Sequence, residues 1–328
     1  MKIAVLGAGA WGTAVAISLA QRHAVSLWAR DAAQCAAMRV ARVNERYLAG
    51  YPFPTQLDVC EDFDTALGGA DLTVIAVATA GLRQTLQRFK SAQYPGGVIW
   101  LCKGFEPGHG RLPHQVCVEE LGRIERCGAL SGPSFAQEVA RGLPTALTLA
   151  SQSAEFAHET ARALHSRVFR VYSTDDLIGV EVAAAVKNVM AIAAGICDGL
   201  GYGHNARAAL ITRGLAEVTR LGVALGGRPE TFMGLAGAGD LILTCTSDLS
   251  RNRQVGLKLA HGQSLDAILS ELGHVAEGVG TARELHRLAD KLKLNMPITQ
   301  AVCRVLADPA QARAAADALL QREPRPEV

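Results

Sequence analysis

The sequence predicts an α/β fold, a Rossmann-type doubly wound sheet, followed by an all-α domain. Three observations carry the prediction. Short β-branched runs alternate with longer helical patterns through the first half, the alternation of a parallel sheet covered on both faces. A Gly-x-Gly-x-x-Gly turn, Gly7-Ala8-Gly9-Ala10-Trp11-Gly12, directly follows the first such run. After about Ile178 the strand pattern stops, and Ala-, Leu- and Val-rich helical stretches take over, punctuated by glycine clusters.

Taken in order, Lys2–Leu6, Val25–Trp28, Leu72–Val77, Val98–Leu101, Cys127–Leu130 and Thr145–Leu149 read as buried strands. Val168–Tyr172 closes the series. Helical periodicity falls between them, as at Trp11–Arg22, Ala32–Val43 and Leu82–Lys90. The second half offers helices at Val180–Leu200, Asn205–Leu225 and Leu265–Leu272. The expected domains are therefore 1–177, binding a dinucleotide, and 178–328, joined near Thr174–Gly179. The charged, proline-containing tail from Arg322 to Val328 is expected to fray.

Bulk properties narrow the function. With 328 residues, 49% hydrophobic and 20% charged, the chain has ordinary globular composition. A formal net charge of +2 gives no broad basic face, so nucleic acid is not an expected partner. The eight cysteines form no Cys-x-x-Cys pair and no His-Glu-x-x-His occurs, so no metal site is expected. Scattered free thiols fit a reducing compartment. The N-terminus does not read as a signal peptide. The most apolar stretch, Val180–Ile196, is broken by Lys187 and Asn188 and reads as short of a membrane span. Together these predict a cytoplasmic protein without membrane insertion.

The glycine-rich turn gains meaning from following a strand and opening a helix. Gly7 allows the tight turn, Gly9 lets a pyrophosphate approach the backbone, and Gly12 lets the helix pack closely on the strand. The helix N-terminus, from Ala10 and Trp11, offers unpaired N–H groups to phosphate. At the end of the second strand stand both Arg30, suited to a 2′-phosphate, and Asp31, suited to a ribose hydroxyl. Asp31 is also a good N-cap for the run from Ala32, which favours Arg30 facing the ribose, with NADP accommodated as well as NAD.

Three further segments carry polar groups that plain packing does not ask for. Lys103 follows a strand, at the end where ligands of open α/β sheets bind; it could equally be a solvated loop lysine. Lys187-Asn188 interrupts an Ala/Val/Met/Ile helix. Burial and a second cation nearby would favour its neutral amine, the form that accepts a proton; a lysine reaching out to solvent is the alternative. Ser250-Arg251-Asn252-Arg253 lies in an expected loop after Gly237-Ala238-Gly239-Asp240 and supplies the donors a phosphate monoester needs. The same residues could instead be an exposed helix start.

These residues belong to longer matching segments: GAGAWGTAVA from Gly7, CKGFEPGHGRL from Cys102, LSGPSFAQEVARGLPTA from Leu130, VKNVMAIAAGICDGLGYGHNARAALITRG from Val186, GLAGAGDLILTCTSDLSRNRQVG from Gly234, VAEGVGTA from Val275 and MPIT from Met296. From Lys2 to about Val305 the chain resembles bacterial NAD(P)-dependent glycerol-3-phosphate dehydrogenase. The resemblance implies Lys187 as proton acceptor and Lys103 as a lysine touching cofactor and substrate. It implies substrate contacts at Lys103, Gly132, Ser134, Lys187, Asp240, Ser250, Arg251 and Asn252. It implies cofactor contacts at Trp11, Arg30, Tyr47, Lys103, Ala136, Arg251, Val275 and Glu277, with NADP(H) or NAD(H) as cofactor. The activity implied is interconversion of sn-glycerol 3-phosphate and dihydroxyacetone phosphate, supplying phospholipid synthesis, by an enzyme whose relatives often form homodimers. Two departures stand out: Val77-Ala78-Thr79-Ala80 lacks the proline-serine often found there, and Cys102 replaces a threonine. A β-hydroxyacid dehydrogenase, with a similar layout and a helix-borne lysine, is the alternative enzyme; a cofactor-sensing protein would not need Lys187 or the Ser-Arg-Asn segment.

Overall fold

Eight strands form one sheet in the order β3-β2-β1-β4-β5-β6-β7-β8. They are β1 (Lys2–Leu6), β2 (Ala24–Trp28), β3 (Leu57–Cys60), β4 (Leu72–Ile75), β5 (Gly97–Trp100), β6 (Cys127–Ser131), β7 (Thr145–Ala150) and β8 (Phe169–Thr174). The computed structural model describes residues 1–92, 94–122, 124–272 and 276–323, and the side chain of residue 90 is left aside. Val275, expected to touch the cofactor, therefore lies outside the described residues, as does most of the tail expected to fray.

The chain divides into two units, residues 1–106 with 111–181, and residues 107–110 with 182–328. The first holds the sheet and helices α1 (Ala10–Leu19), α2 (Ala32–Ala41), α3 (Phe63–Leu67), α4 (Leu82–Ala92), α5 (Pro113–Leu121), α6 (Ala136–Ala140) and α7 (Ala154–Leu164). Strands β4, β5 and β6 are buried along their whole length, the continuous apolar run that a sheet covered on both faces requires. Two features differ from the sequence expectation. β3, with its alternating burial, was not anticipated. The sheet is also not wholly parallel, because β7 runs antiparallel to β6, although β8 returns parallel to β7.

The second unit is helical among its described residues. It contains most of α8 (Leu177–Gly199), then α9 (Gly203–Ala224), α10 (Pro229–Met233), a π-turn at Leu235–Gly239 and α11 (Asp240–Thr246). α12 (Arg251–Ala260), α13 (Leu265–Leu272), α14 (Glu277–Lys291), α15 (Pro297–Ala307) and α16 (Ala312–Leu320) follow. At 23 residues α8 is long and apolar enough to cross a membrane by length and composition, which corrects the expectation that it falls short. However, 94% of its most apolar window is buried inside the protein, the state of a core helix that is hydrophobic all round.

Burial of Glu217 shows how helices lock around this core. Its carboxylate, on α9, accepts hydrogen bonds from Ile298 N at 2.6 Å, Thr299 N at 3.2 Å and Thr299 Oγ1 at 3.1 Å, capping the first turn of α15. Burial pushes the Glu217 carboxyl above its ordinary 4.5, outweighing these donors, which pull it down. The folded state therefore holds this proton more tightly than the unfolded chain. The group's contribution to stability is full below about pH 4.5 and is lost as pH climbs through the folded value. Thermal unfolding of wild type and Glu217→Gln across this range should show a wild-type advantage that shrinks with rising pH. Parallel pH dependences in the two proteins would contradict it.

Candidate active site

Register in the parallel part of the sheet brings distant loops to one edge. Trp28, Leu6, Ile75, Trp100 and Ala129 pair successively across β2, β1, β4, β5 and β6. Just beyond this row come Arg30, Gly7, Ala76, Lys103 and Gly132. The order of the sheet reverses at β1, whose neighbours are β2 and β4, and ligands of open α/β sheets bind at the carboxyl ends beside such a reversal.

The glycines there behave as a dinucleotide turn requires. Gly7 has φ +119°, and a Cβ on it would sit 2.6 Å from Ala76 O. A Cβ on Gly12 would lie 2.0 Å from Gly7 O, so α1 could not approach β1. Gly9 is different: nothing in the protein lies within 4 Å of where its Cβ would be. The space at Gly9 is open to a ligand, and the pyrophosphate of a dinucleotide fits it. Beside it the buried Trp11 indole N–H has no hydrogen-bond partner among the described residues, a donor available to a bound cofactor.

Asp31 is committed to the protein. Its Oδ1 caps α2 by accepting from Ala33 N at 3.0 Å and Gln34 N at 3.1 Å, and its Oδ2 lies 3.3 Å from Arg46. Arg30 is exposed, and its guanidinium has no hydrogen-bond or ion-pair partner among the described residues. Buried Asn44 ties the neighbouring turn to the glycine loop, donating to Ala8 O at 2.9 Å and Thr13 Oγ1 at 2.8 Å. That turn carries Tyr47, with the Arg46 guanidinium 5.1 Å over its ring.

Further along the edge, Lys103 Nζ donates to Gly132 O at 3.3 Å, and Ser134 Oγ donates to the same carbonyl at 2.9 Å. Gly132 has φ +141°, in the region that glycine favours. Ala136 opens α6, which packs along α1. Sequence reasoning missed a buried group behind this edge. Glu181, on the first turns of α8, accepts from Trp100 Nε1 at 2.9 Å and from His114 N at 2.9 Å and Nδ1 at 2.5 Å. Burial raises the Glu181 carboxyl, while for His114 the Glu181 carboxylate outweighs burial and raises the imidazole.

In the second unit the polar residues gather around the middle of α8. Lys187, 6% exposed, donates to Asp240 Oδ1 at 2.5 Å and to Thr244 Oγ1 at 3.0 Å. Asp240 is 1% exposed, and Thr244 returns a bond to the Asp240 carbonyl at 2.6 Å. So the sequence expectation of a second cation gives way to a carboxylate. Burial favours the neutral amine and Asp240 favours the ammonium. Cys245 beside this pair has its thiol pushed up to about 12 by burial, so it is no nucleophile.

Ser250–Asn252 is not a loop. Ser250 is the N-cap of α12, its hydroxyl accepting from Arg253 N at 3.3 Å, and Arg251 and Asn252 form the first turn. The helix-start alternative is therefore the observed one. The N-terminus of a helix carries a partial positive charge of the kind that binds anions. Arg251 is exposed, with no hydrogen-bond or ion-pair partner for its guanidinium among the described residues. Asn252 bridges two helices, donating to Asn188 Oδ1 at 3.0 Å and accepting from Gly278 N at 3.1 Å. Glu277 stands at the start of α14, next to Gly278.

Family models match both halves. The model described as the N-terminus of NAD-dependent glycerol-3-phosphate dehydrogenase covers residues 2–157, and the one for its C-terminus covers residues 176–317. The chain belongs to the NAD-dependent glycerol-3-phosphate dehydrogenase family. A relative from Thiobacillus denitrificans, named glycerol-3-phosphate dehydrogenase (NAD(P)+), is 60% identical over 327 residues, spanning 100% of both chains. One of the same name from Dechloromonas aromatica is 56% identical over 328 residues, again over 100% of both. The solved glycerol-3-phosphate dehydrogenase of Coxiella burnetii aligns with TM-score 0.93 at 43% identity, covering 98% of this chain and 99% of that one. A D-mandelate dehydrogenase at 15% identity and TM-score 0.61 shares the fold alone.

Sequence reading passed over Thr244, and noticed Asn188 beside Lys187 without giving it a role. Both were legible in part: Thr244 lies four residues after Asp240, on the same helical face, and Asn188 is the second polar residue breaking an apolar helix.

Proposed function

We propose that the protein interconverts sn-glycerol 3-phosphate and dihydroxyacetone phosphate with NADP(H) or NAD(H). The observation that carries this is the buried Lys187–Asp240–Thr244 cluster on a helix that also holds the anion-binding start of α12. A bound nicotinamide supplies the hydride donor or acceptor. In the reducing direction Lys187 Nζ gives a proton to the oxygen of the substrate carbonyl, and in the oxidising direction it takes the proton of the hydroxyl. Asp240 holds the ammonium in place, and desolvation makes the pair stronger than it would be in water. Ser250, Arg251, Asn252 and the α12 N-terminus hold the phosphate, so that binding energy away from the reacting carbon orients it.

On the first unit, Gly7, Gly9, Ala10, Trp11, Gly12, Arg30, Tyr47 and Ala136 bind the dinucleotide; Lys103, Gly132 and Ser134 contact substrate, Lys103 touching the cofactor too. On the second, Arg251, Val275 and Glu277 complete the cofactor contacts. The further reading is of a cytoplasmic enzyme, a homodimer, that supplies glycerol 3-phosphate for phospholipid synthesis.

The deciding assay is oxidation of NADPH and NADH with dihydroxyacetone phosphate, run beside phosphate-free keto acids. Turnover with the phosphate ester and none with the keto acids is expected. Turnover with the keto acids instead would favour a β-hydroxyacid dehydrogenase, and none with either would favour a cofactor sensor. In the same assay Arg30→Ala should raise KM for NADPH about tenfold or more while leaving NADH nearly unchanged, as loss of a charge-assisted contact to a 2′-phosphate implies. An unchanged preference would remove Arg30 from the ribose site.

A further inference from the structure

Arg251 and Arg253 are two residues apart yet have opposite surroundings. Arg251 is exposed and unengaged, as described. Arg253 is 7% exposed, and all three of its guanidinium nitrogens are occupied. Its Nε and Nη2 donate to Asp198 Oδ2 at 3.0 and 2.7 Å, and Nη1 donates to Asp248 Oδ1 at 2.6 Å. Asp198 stands in the last turn of α8, eleven residues after Lys187, and also receives Arg207 Nη1 at 3.0 Å. Asp248 lies just before the Ser250 cap.

The backbones beneath this ion cluster are in direct contact. A Cβ on Gly195 would sit 2.1 Å from Arg253 O, and one on Gly256 would sit 2.0 Å from Ile192 O. α12 thus lies on α8 with no side chains between them at this crossing. Such a crossing brings the helices close but leaves α12 free to slide or turn on a smooth surface. Two side-chain ties remove that freedom: Asn252 to Asn188 beside Lys187, and Arg253 to Asp198 near the far end. The second is the stronger, because it is buried, charged and uses two donors on one carboxylate oxygen.

We propose that Arg253 and Asp198 are positioning residues for the substrate phosphate. Arg253 does not bind the phosphate. Through Asp198 it sets where the first turn of α12, with Ser250, Arg251 and Asn252, stands relative to Lys187. This rests on the functional reading above and goes beyond it by assigning roles to two residues that need not touch substrate.

The test uses the full-length protein and the variants Arg253→Met, Arg253→Lys, Asp198→Asn and the double variant Asp198→Asn/Arg253→Met. Each single variant should raise KM for dihydroxyacetone phosphate about 10- to 100-fold, the scale of a 1 Å misplacement. Binding of NADPH, followed by its fluorescence, should weaken far less than KM rises, because Arg251 is one of many cofactor contacts while the whole first turn of α12 holds the phosphate. The double variant should be no worse than either single one, because both break the same tie. Arg253→Lys, which keeps one charged contact, should fall between wild type and Arg253→Met and guards against a variant that fails to fold. Turnover of phosphate-free dihydroxyacetone, measured alongside, should be unchanged in every variant.

A KM that rises for the Arg253 variants but not for Asp198→Asn would make Arg253 a direct phosphate ligand and overturn the proposal. So would folded variants with wild-type KM, or equal losses on dihydroxyacetone and its phosphate. A wild-type protein inactive toward dihydroxyacetone phosphate would instead overturn the functional reading itself.

Discussion

A lysine ammonium in an apolar helix core must be paired, and Lys187 is the point from which the second unit is organised. Removing such a charge from water costs several kcal/mol unless a partner and further hydrogen bonds offset it. Asp240 and Thr244 do so, and this dictates that α11 begin against the middle of α8. The π-turn at Leu235–Gly239 delivers Asp240 to that place, with Gly237 so close to Phe232 that a Cβ would lie 2.1 Å from its carbonyl oxygen. Breaking the pair by removing one member would leave a buried charge, so structure and chemistry rely on the same contact.

On the proposed reading, the two units hold anions in related ways. In the first, glycines clear the approach to the N-terminus of α1 and leave open space at Gly9. In the second, glycines clear the contact between α8 and α12, whose N-terminus is capped by Ser250 with Arg251 exposed beside it. Neither uses a broad positive surface, in keeping with a net charge of +2. On that reading small anions would be met by backbone N–H groups, a helix end and a few exposed guanidinium groups, a set suited to phosphate rather than to polyanions.

Much of this was legible in the sequence, for physical reasons that differ by element. The buried parallel strands showed because both faces are covered, making the whole run apolar. β3 did not, because it is four residues long and alternates, a period too short to stand out. The reversal of β7 against β6 was invisible, since nothing in the residues of a single strand marks the direction in which it pairs. Ser250–Arg253 read equally as a loop or as an exposed helix start, since a polar segment opened by Ser suits both; the Ser250 hydroxyl, accepting from Arg253 N, decides for the helix. Lys187 declared itself by its apolar surroundings, but whether Asp240 holds Lys187 or bonds a substrate hydroxyl stayed open in the sequence, because the two lie 53 residues apart and only the fold joins them. The Trp100–Glu181–His114 network was likewise unreadable, joining residues up to 81 apart.

The central claim is that Lys187, held by Asp240, moves the proton that accompanies hydride transfer. Turnover and dinucleotide affinity of Lys187→Ala, measured on the same folded preparation, test it most directly. The account predicts that turnover falls by about 10²- to 10⁴-fold, the usual contribution of a positioned acid–base group, while NADPH binds as tightly as to wild type. Turnover close to wild type in a variant that still binds NADPH would contradict it.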